Sequence, residues 1–230
     1  KEKHWPGVAA LWKKMEENGD LEKRKYQGLY CVGCEEFKTK KVLIDGNKCP
    51  IHLKEVEAIE EENWFFKLSK YSQLLKEKIE SKELNIVPES RKNEILALLN
   101  EGLEDISFSR PREKLSWGIP VPGDESQIIY VWGDALTNYI TGIGYGSSSS
   151  ELFDKFWPAD VHLIGKDILR FHAAIWPAML LSAKLPIPKT IMTHGFITSS
   201  GHKMSKSLGN VISPFELIEK YGAEATRYYL

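Results

Sequence analysis

Cysteine is scarce in this chain: three residues in 230, an odd number that excludes a closed disulfide framework. A long apolar run is also missing. The longest, Ala173 to Ala183, falls short of a bilayer span and contains Pro177. Neither sign of charge dominates, since 31 Lys and Arg stand against 32 Asp and Glu. That balance excludes a surface that is wholly a nucleic-acid or membrane clamp, so any polyanion contact must be local. The first residues, Lys1 to Pro6, have no apolar segment of the secretory type and no initiating Met, which points to a fragment or a processed chain. Reduced thiols without an export signal favour the cytoplasm, with an organelle left open because a transit segment would have been lost. What remains is globular material with enough apolar residues for a core, 42% hydrophobic and 27% charged.

The few cysteines are not scattered. Cys31-Val-Gly-Cys34 is followed, after fourteen residues, by Cys49-Pro-Ile-His52. Two pairs with two-residue gaps, each with turn residues (Gly33, Pro50), supply three thiolates and an imidazole. That is a complete tetrahedral shell for Zn²⁺ with no open position, hence structural. The plainer alternative is three buried thiols and an unrelated surface histidine.

Val8, Leu11, Trp12 and Met15 recur at helical spacing, and Asn18-Gly19-Asp20 ends that helix. From Glu55 to Glu83 charge is dense and Phe65, Leu68, Tyr71, Leu75 and Ile79 fall at helical intervals, which predicts amphipathic helices. Pro88 opens another helix carrying Ile95, Leu98 and Leu99 on one face, and 108–124, punctuated by Pro and Gly, is expected to be largely loop or extended. Beyond it, strands are predicted at 127–132, 161–164 and 190–197, with helical patterns after the first two. This alternation predicts an α/β fold with a parallel sheet whose ligands gather at the carboxyl ends of strands.

Near the end lies Gly201-His-Lys-Met-Ser-Lys-Ser-Leu-Gly-Asn210, with glycines that permit movement and two lysines three apart. Lys203 and Lys206 can bring two positive charges to a polyphosphate as charge develops on it, although a Lys/Ser loop can equally be a solvated surface loop. The string Lys-Met-Ser-Lys-Ser resembles the second signature of class I aminoacyl-tRNA synthetases, and its surroundings resemble the methionyl-tRNA synthetase family. Tyr130 to Tyr139 (YVWGDALTNY) and Gly165 to His172 (GKDILRFH), running into Trp176-Pro-Ala-Met179, are similar to that family's methionine-pocket segments. The paired cysteines resemble the knuckle of its connective domain. Isoleucyl, valyl and leucyl relatives share the lysine loop but carry other residues around Trp132.

The resemblance implies a partial Rossmann-like α/β catalytic fold with an inserted zinc-binding connective domain. Residues 1–25 would end the first half of the nucleotide fold, 26–115 form the connective domain and 116–200 the second half. Residues 201–230 would hold the lysine loop and the start of a stem-contact region. It implies a methionine pocket of Trp132, Ala135, Tyr139, Ile168, Phe171 and His172. The spacing is compatible, because Trp132, Ala135, Leu136 and Tyr139 share a helical face, and a thioether favours aromatic edges. Ordinary core packing would account for each of these residues as well.

By the same resemblance Asp167 lies near the ATP ribose, and His194 and Gly195 lie near adenine or phosphates. Read without it, Asp167 is an N-cap and His194 a core residue. Lys203 and Lys206 would stabilise the adenylation transition state, with ATP, Mg²⁺, L-methionine and tRNA-Met as partners and no membrane. Two departures concern shape: Gly133 stands where a bulkier apolar residue is expected, and Leu53 where the family usually has Gly. The family's His-Ile-Gly-His signature is absent, since His162-Leu-Ile-Gly ends in Lys166 and lies after the zinc region. That signature half is expected upstream of Lys1 and the anticodon-binding domain downstream of Leu230. Two rival readings are a catalytically inactive zinc-binding scaffold and an RNA-binding zinc knuckle.

Overall fold

The computed structural model describes residues 2–33, 36–38, 42–51, 53–115, 117–199, 201–204 and 209–229, with backbone alone for Glu36, Phe37, Ile59, His202 and Lys203. Helix α1 (Trp5–Glu17) forms where the apolar spacing predicts it and buries Val8, Leu11, Trp12 and Met15. Then comes an antiparallel sheet that the sequence conceals. Strands β1 (Leu21–Cys31), β2 (Glu36–Lys38) and β3 (Glu57–Phe66) are joined at the edge by β5 (Ile106–Ser107), in the order β2-β1-β3-β5.

The helical expectation for 55–83 is thereby corrected over its first part. Register sets Lys25 opposite Glu62 and Arg24 opposite Asn63, and Lys23 Nζ reaches Glu62 at 3.6 Å and Asp124 at 2.8 Å. The acidic run is the β3 rail of this ribbon, with Glu62 set against Lys23 and Lys25, and cross-strand pairing outweighs the local helical pattern. Helix resumes with a 3₁₀ turn at Leu68–Tyr71 and α2 (Ser72–Glu80), followed by β4 (Asn85–Val87) and α3 (Glu89–Glu101), which buries Ile95 and Leu99.

Strands β6 (Ser109–Pro111), β7 (Pro120–Val121) and β8 (Asp124–Ile129) form a separate antiparallel sheet in the order β6-β8-β7. The strand expected at 127–132 is therefore earlier and antiparallel. A tight turn with Gly123 at φ +80° folds β8 back on β7, and helix α4 (Val131–Thr141) begins at once. After α5 (Glu151–Phe156) come β9 (Val161–Gly165), α6 (Trp176–Ser182) and β10 (Thr190–His194). The parallel sheet is β4-β10-β9, and β4 within the 26–115 interval belongs to it. Strands β11 (Thr198–Ser199) and β12 (His202–Lys203) form a hairpin, and α7 (Pro214–Tyr221) and α8 (Ala223–Tyr229) complete the described chain.

One core cluster runs from α1 through α2, α3 and α4 to α6 and the parallel sheet, with Phe66, Phe108 and Trp176 among its fully buried rings. The sheet's other face is open: Val161, Leu163 and Met192 are 52, 66 and 48% exposed. Parallel sheets are ordinarily covered on both faces, so this face is built to be covered. Among the described residues, no helix is long and apolar enough to cross a membrane.

Candidate active site

Helix α4 presents two unlike faces. Gly133, Leu136, Thr137, Ile140 and Thr141 point into the core, while Trp132 is half-buried and Ala135 and Tyr139 are exposed. Leu136 therefore leaves the face proposed from its spacing, and Trp132, Ala135 and Tyr139 remain on it. Opposite stands the segment after β9, wound as a 3₁₀ turn (Lys166–Ile168), a π-helical turn (Phe171–Ile175) and then α6. A π-turn shifts the register by one residue, a feature frequent at functional sites.

The two segments meet through their rings. Trp132 stacks on Phe171 with centroids 3.8 Å apart and planes 16° from parallel. Tyr139 and His172 pack edge to face at 5.6 Å, with Tyr139 Oη 2.8 Å from His172 Nε2. His172 Nδ1 lies 3.0 Å from the Ile168 carbonyl oxygen, which can only accept, so Nδ1 carries the proton. Nε2 then accepts from the Tyr139 hydroxyl, and the imidazole is neutral. Burial pushes the His172 pKa down in the same sense, and burial raises that of Tyr139. The result is a cluster of two uncharged ring pairs, Trp132–Phe171 and Tyr139–His172, with Ile168 joined through its carbonyl and Ala135 exposed on α4, and this cluster is the candidate cradle.

His162 is no part of a phosphate-binding signature, and the structure gives it another place. It faces inward from β9, its ring 4.1 Å from that of Tyr139 and 6.1 Å from that of His172. Burial, then the neighbouring His172, brings its pKa down to about 4. Strand parity could have found it, because its neighbours Val161 and Leu163 face out. Both histidines fold in their neutral forms, so the unfolded chain binds more protons below pH 6.5 and stability falls as pH drops toward 4. Replacing His162 with Leu is expected to flatten that acid slope, measured by urea unfolding at pH 7 and pH 5. An unchanged slope would remove His162 as its source.

The carboxyl ends of β9 and β10 lie side by side, with Gly165 in register with His194. Asp167 is exposed, two residues beyond β9, and belongs to the 3₁₀ turn without capping a helix. A Cβ on Gly165 would come within 2.9 Å of Asp167 Oδ1, so glycine leaves that carboxylate its room. His194 and Gly195 are exposed as well, which excludes the core reading of His194. Lys166 Nζ lies 4.3 Å from the Phe196 ring and ties the two strand ends together. Three residues after Gly195 the β11–β12 hairpin begins and brings the Lys203 backbone in, with Thr198 opposite it. Lys206 lies outside the described residues, and the structure gives no side chain for Lys203.

Of the four cysteine-region residues, Cys34 and His52 lie outside the described residues. Cys31, ending β1, and Cys49 are buried in one small cluster with Val56. The Leu53 N–H donates to the Cys49 carbonyl (2.8 Å) and the Cys49 N–H to that of Lys54 (2.9 Å), which draws Leu53 and Lys54 tightly against Cys49. Leu53 stands there at φ +55°, which accounts for the glycine expected at that position. A left-handed non-glycine residue costs about 1–2 kcal/mol, partly offset by the extra chain entropy of Gly, so Leu53→Gly is expected to raise stability by about 1 kcal/mol in denaturant titration. A loss of stability would contradict this strain.

Gly133 does not shape the cradle. Its Cβ would point into the core, 3.0 Å from Phe108 Cε1 and 3.1 Å from Ile129 Cγ2. The bulkier residue expected there would press on Phe108, and in this chain glycine fits the space.

The family model for tRNA synthetases class I (M) matches residues 42–230. The methionine–tRNA ligase of Clostridium acetobutylicum is 50% identical over 230 residues, covering 100% of this chain and 35% of that protein. That of Clostridium perfringens is 51% identical over 228 residues, covering 99% and 35%. Among solved structures, Mycobacterium tuberculosis methionyl-tRNA synthetase bound by methionyl-adenylate superposes with a TM-score of 0.90 at 40% identity, over 100% of this chain and 45% of that one. Its apo form gives 0.85 at 38% identity, over 98% and 44%. The chain thus spans less than half the length of these relatives.

Proposed function

This chain belongs to the class I tRNA synthetases of the methionine type, and from that premise we propose that the protein spanning it is a methionine–tRNA ligase. The observation that carries the reading is the uncharged aromatic cradle beside the carboxyl ends of two parallel strands. Trp132, Ala135, Tyr139, Ile168, Phe171 and His172 would hold the methionine side chain, because a polarizable thioether gains from ring edges and needs no counter-charge.

ATP would lie across the strand ends, with Asp167 accepting from a ribose hydroxyl and His194 and Gly195 against adenine or phosphate. The methionine carboxylate oxygen attacks the α-phosphorus in line, and the bond to the bridging oxygen of pyrophosphate breaks. Lys203 and Lys206 would neutralise the charge that gathers on the leaving group, a charge that Mg²⁺ bound with ATP would share. No covalent enzyme intermediate forms, so positioning and electrostatics supply the rate. A tRNA 3′-terminal hydroxyl then takes the methionyl group from the adenylate and releases AMP.

We assign Zn²⁺ to Cys31, Cys34, Cys49 and His52 as a structural cross-link. The shared burial of Cys31 and Cys49 and the backbone bonds that fold Leu53 and Lys54 back on Cys49 fit a thiolate-rich shell. The division at 26–115 stays a proposal in the same sense, with β4 contributed to the nucleotide fold. Since the open sheet face awaits cover and the chain is under half of its relatives' length, the isolated chain is expected to catalyse negligible ATP–pyrophosphate exchange. Family membership favours the ligase over an RNA-binding knuckle.

The test is calorimetric titration of the full-length protein with methionine. Loss of the Tyr139–His172 hydrogen bond and ring contact in His172→Ala is expected to weaken binding about tenfold. Unchanged affinity would sink the cradle assignment.

A further inference from the structure

Behind the cradle, one imidazole joins the residue before α1 to both ends of α4. His4 Nε2 lies 2.6 Å from Asp134 Oδ1, and His4 Nδ1 lies 2.6 Å from Thr141 Oγ1. The carboxylate only accepts, so Nε2–H donates to Asp134. In the neutral ring, Nδ1 then accepts from the Thr141 hydroxyl. Asp134 and Thr141 are seven residues apart, two turns and about 10 Å of helix rise, so the ring spans most of the helix.

At about 100° per residue, Asp134 and Thr141 fall on one side of α4, and Trp132, Ala135 and Tyr139 fall on the other. The clamp grips the back of the helix whose front is the cradle wall. Helix α1 seats itself closely there: a Cβ on Gly7 would lie 2.4 Å from Thr141 Cγ2 and 2.5 Å from the Tyr145 carbonyl oxygen. The Asp–His–Thr order also matches a nucleophile relay. Thr141 is 5% exposed with its methyl against Gly7, however, so no substrate reaches its hydroxyl.

We infer that His4 is a positioning residue for the amino-acid site: bonded to Asp134 and Thr141, it fixes the rotation and axial setting of α4 and so holds Trp132 and Tyr139 against Phe171 and His172. The inference rests on the methionine reading and deepens it. Rings stacked at 3.8 Å tolerate little sliding, so release of the clamp disturbs the Trp132 flank first, because Asp134 shares its helical turn.

The experiment uses the full-length protein labelled with 5-fluorotryptophan, the Trp132 signal being identified by its loss in Trp132→Phe. In His4→Ala that signal is expected to shift and broaden, as is that of the neighbouring Trp5, while those of the other five tryptophans of this chain stay put. The Michaelis constant for methionine should rise about tenfold, with that for ATP changed less than about twofold. His4→Gln, whose amide reaches toward Asp134, should restore the signal, whereas His4→Asn, reaching toward Thr141, should not. If His4→Ala does not fold, the Gln and Asn variants decide, and identical Trp132 signals in those two overturn the inference. An unmoved signal in a folded His4→Ala, or equal rises in both Michaelis constants, overturns it too. Should the wild type show no methionine-dependent exchange, the methionine reading falls, and the Trp132 signal alone decides whether His4 sets the helix.

Discussion

Asp20→Ala is expected to lower the stability of the fold by about 3–5 kcal/mol, the scale for breaking a buried charge network. The carboxylate is 1% exposed and accepts from Asn18 Nδ2 (2.8 Å), Lys70 Nζ (2.6 Å), Ser182 Oγ (2.8 Å) and the Tyr71 hydroxyl. These donors come from the end of α1, the 3₁₀ turn before α2 and helix α6, so one side chain fastens three distant segments. Alanine would leave the buried Tyr71 and Ser182 hydroxyls without that acceptor, and each such loss costs about 1–3 kcal/mol.

Burial alone would raise the Asp20 pKa, but the hydrogen bonds from Lys70, Tyr71, Asn18 and Ser182 outweigh it and bring it down to about 2 from 3.8. Its charge-linked stability is therefore complete above pH 3.8 and lost as pH falls toward 2. On the alkaline side, burial and then the Asp20 hydrogen bond push Tyr71 up to about 12 from 10.0, so its contribution is lost as pH rises through that interval. Urea unfolding followed by tryptophan fluorescence checks the variant. A cost under about 1 kcal/mol would mean the network is incidental.

The second large effect concerns chemistry. Lys206→Ala in the full-length protein is expected to raise the adenylation barrier by about 2–4 kcal/mol, as for a lost oxyanion donor. Methionine affinity should stay close to wild type, because the proposed methionine site is built of the cradle rings and not of the lysine loop. Lys206→Arg keeps the charge but not its compact shape, and should recover only part of the rate. Pre-steady-state measurement of adenylate formation separates rate from binding. Adenylation at the wild-type rate in Lys206→Ala would remove this residue from the mechanism.

Sequence patterns foretold elements where one periodicity spoke alone. Val8, Leu11, Trp12 and Met15 mark α1, and the short apolar run 161–164 ending at Gly165 marks β9. They misled where two patterns overlapped. Glu57 to Glu62 looks like a solvated helix face until Lys25 to Tyr30 lie across from it, a pairing set by register and not by local spacing. Strand β4 is three residues long, too short for any period to declare, and only its partner β10 identifies it. Likewise the apolar segment 127–132 looks like one buried strand, but it is divided between β8 and the start of α4, and the Gly123 turn sends β8 antiparallel.

The candidate site divides in the same way. The resemblance marked Trp132, Tyr139, Phe171 and His172, and the structure brings these four rings together in two contacts. It gave no hint of His162 beneath Tyr139, because that histidine's role depends on which face of β9 turns inward. Nor could spacing alone divide α4, where Leu136 shares the helical face of Trp132 and Tyr139 yet packs into the core.

ATP–pyrophosphate exchange by the full-length protein, run against a panel of amino acids, puts the question most directly. Exchange should depend on methionine, fall sharply in Lys206→Ala, and lose its selectivity in Trp132→Ala, where the stacking partner of Phe171 is gone. Exchange driven equally well by leucine or valine, or selectivity that survives loss of Trp132 and His172, would mean these rings are core packing and nothing more.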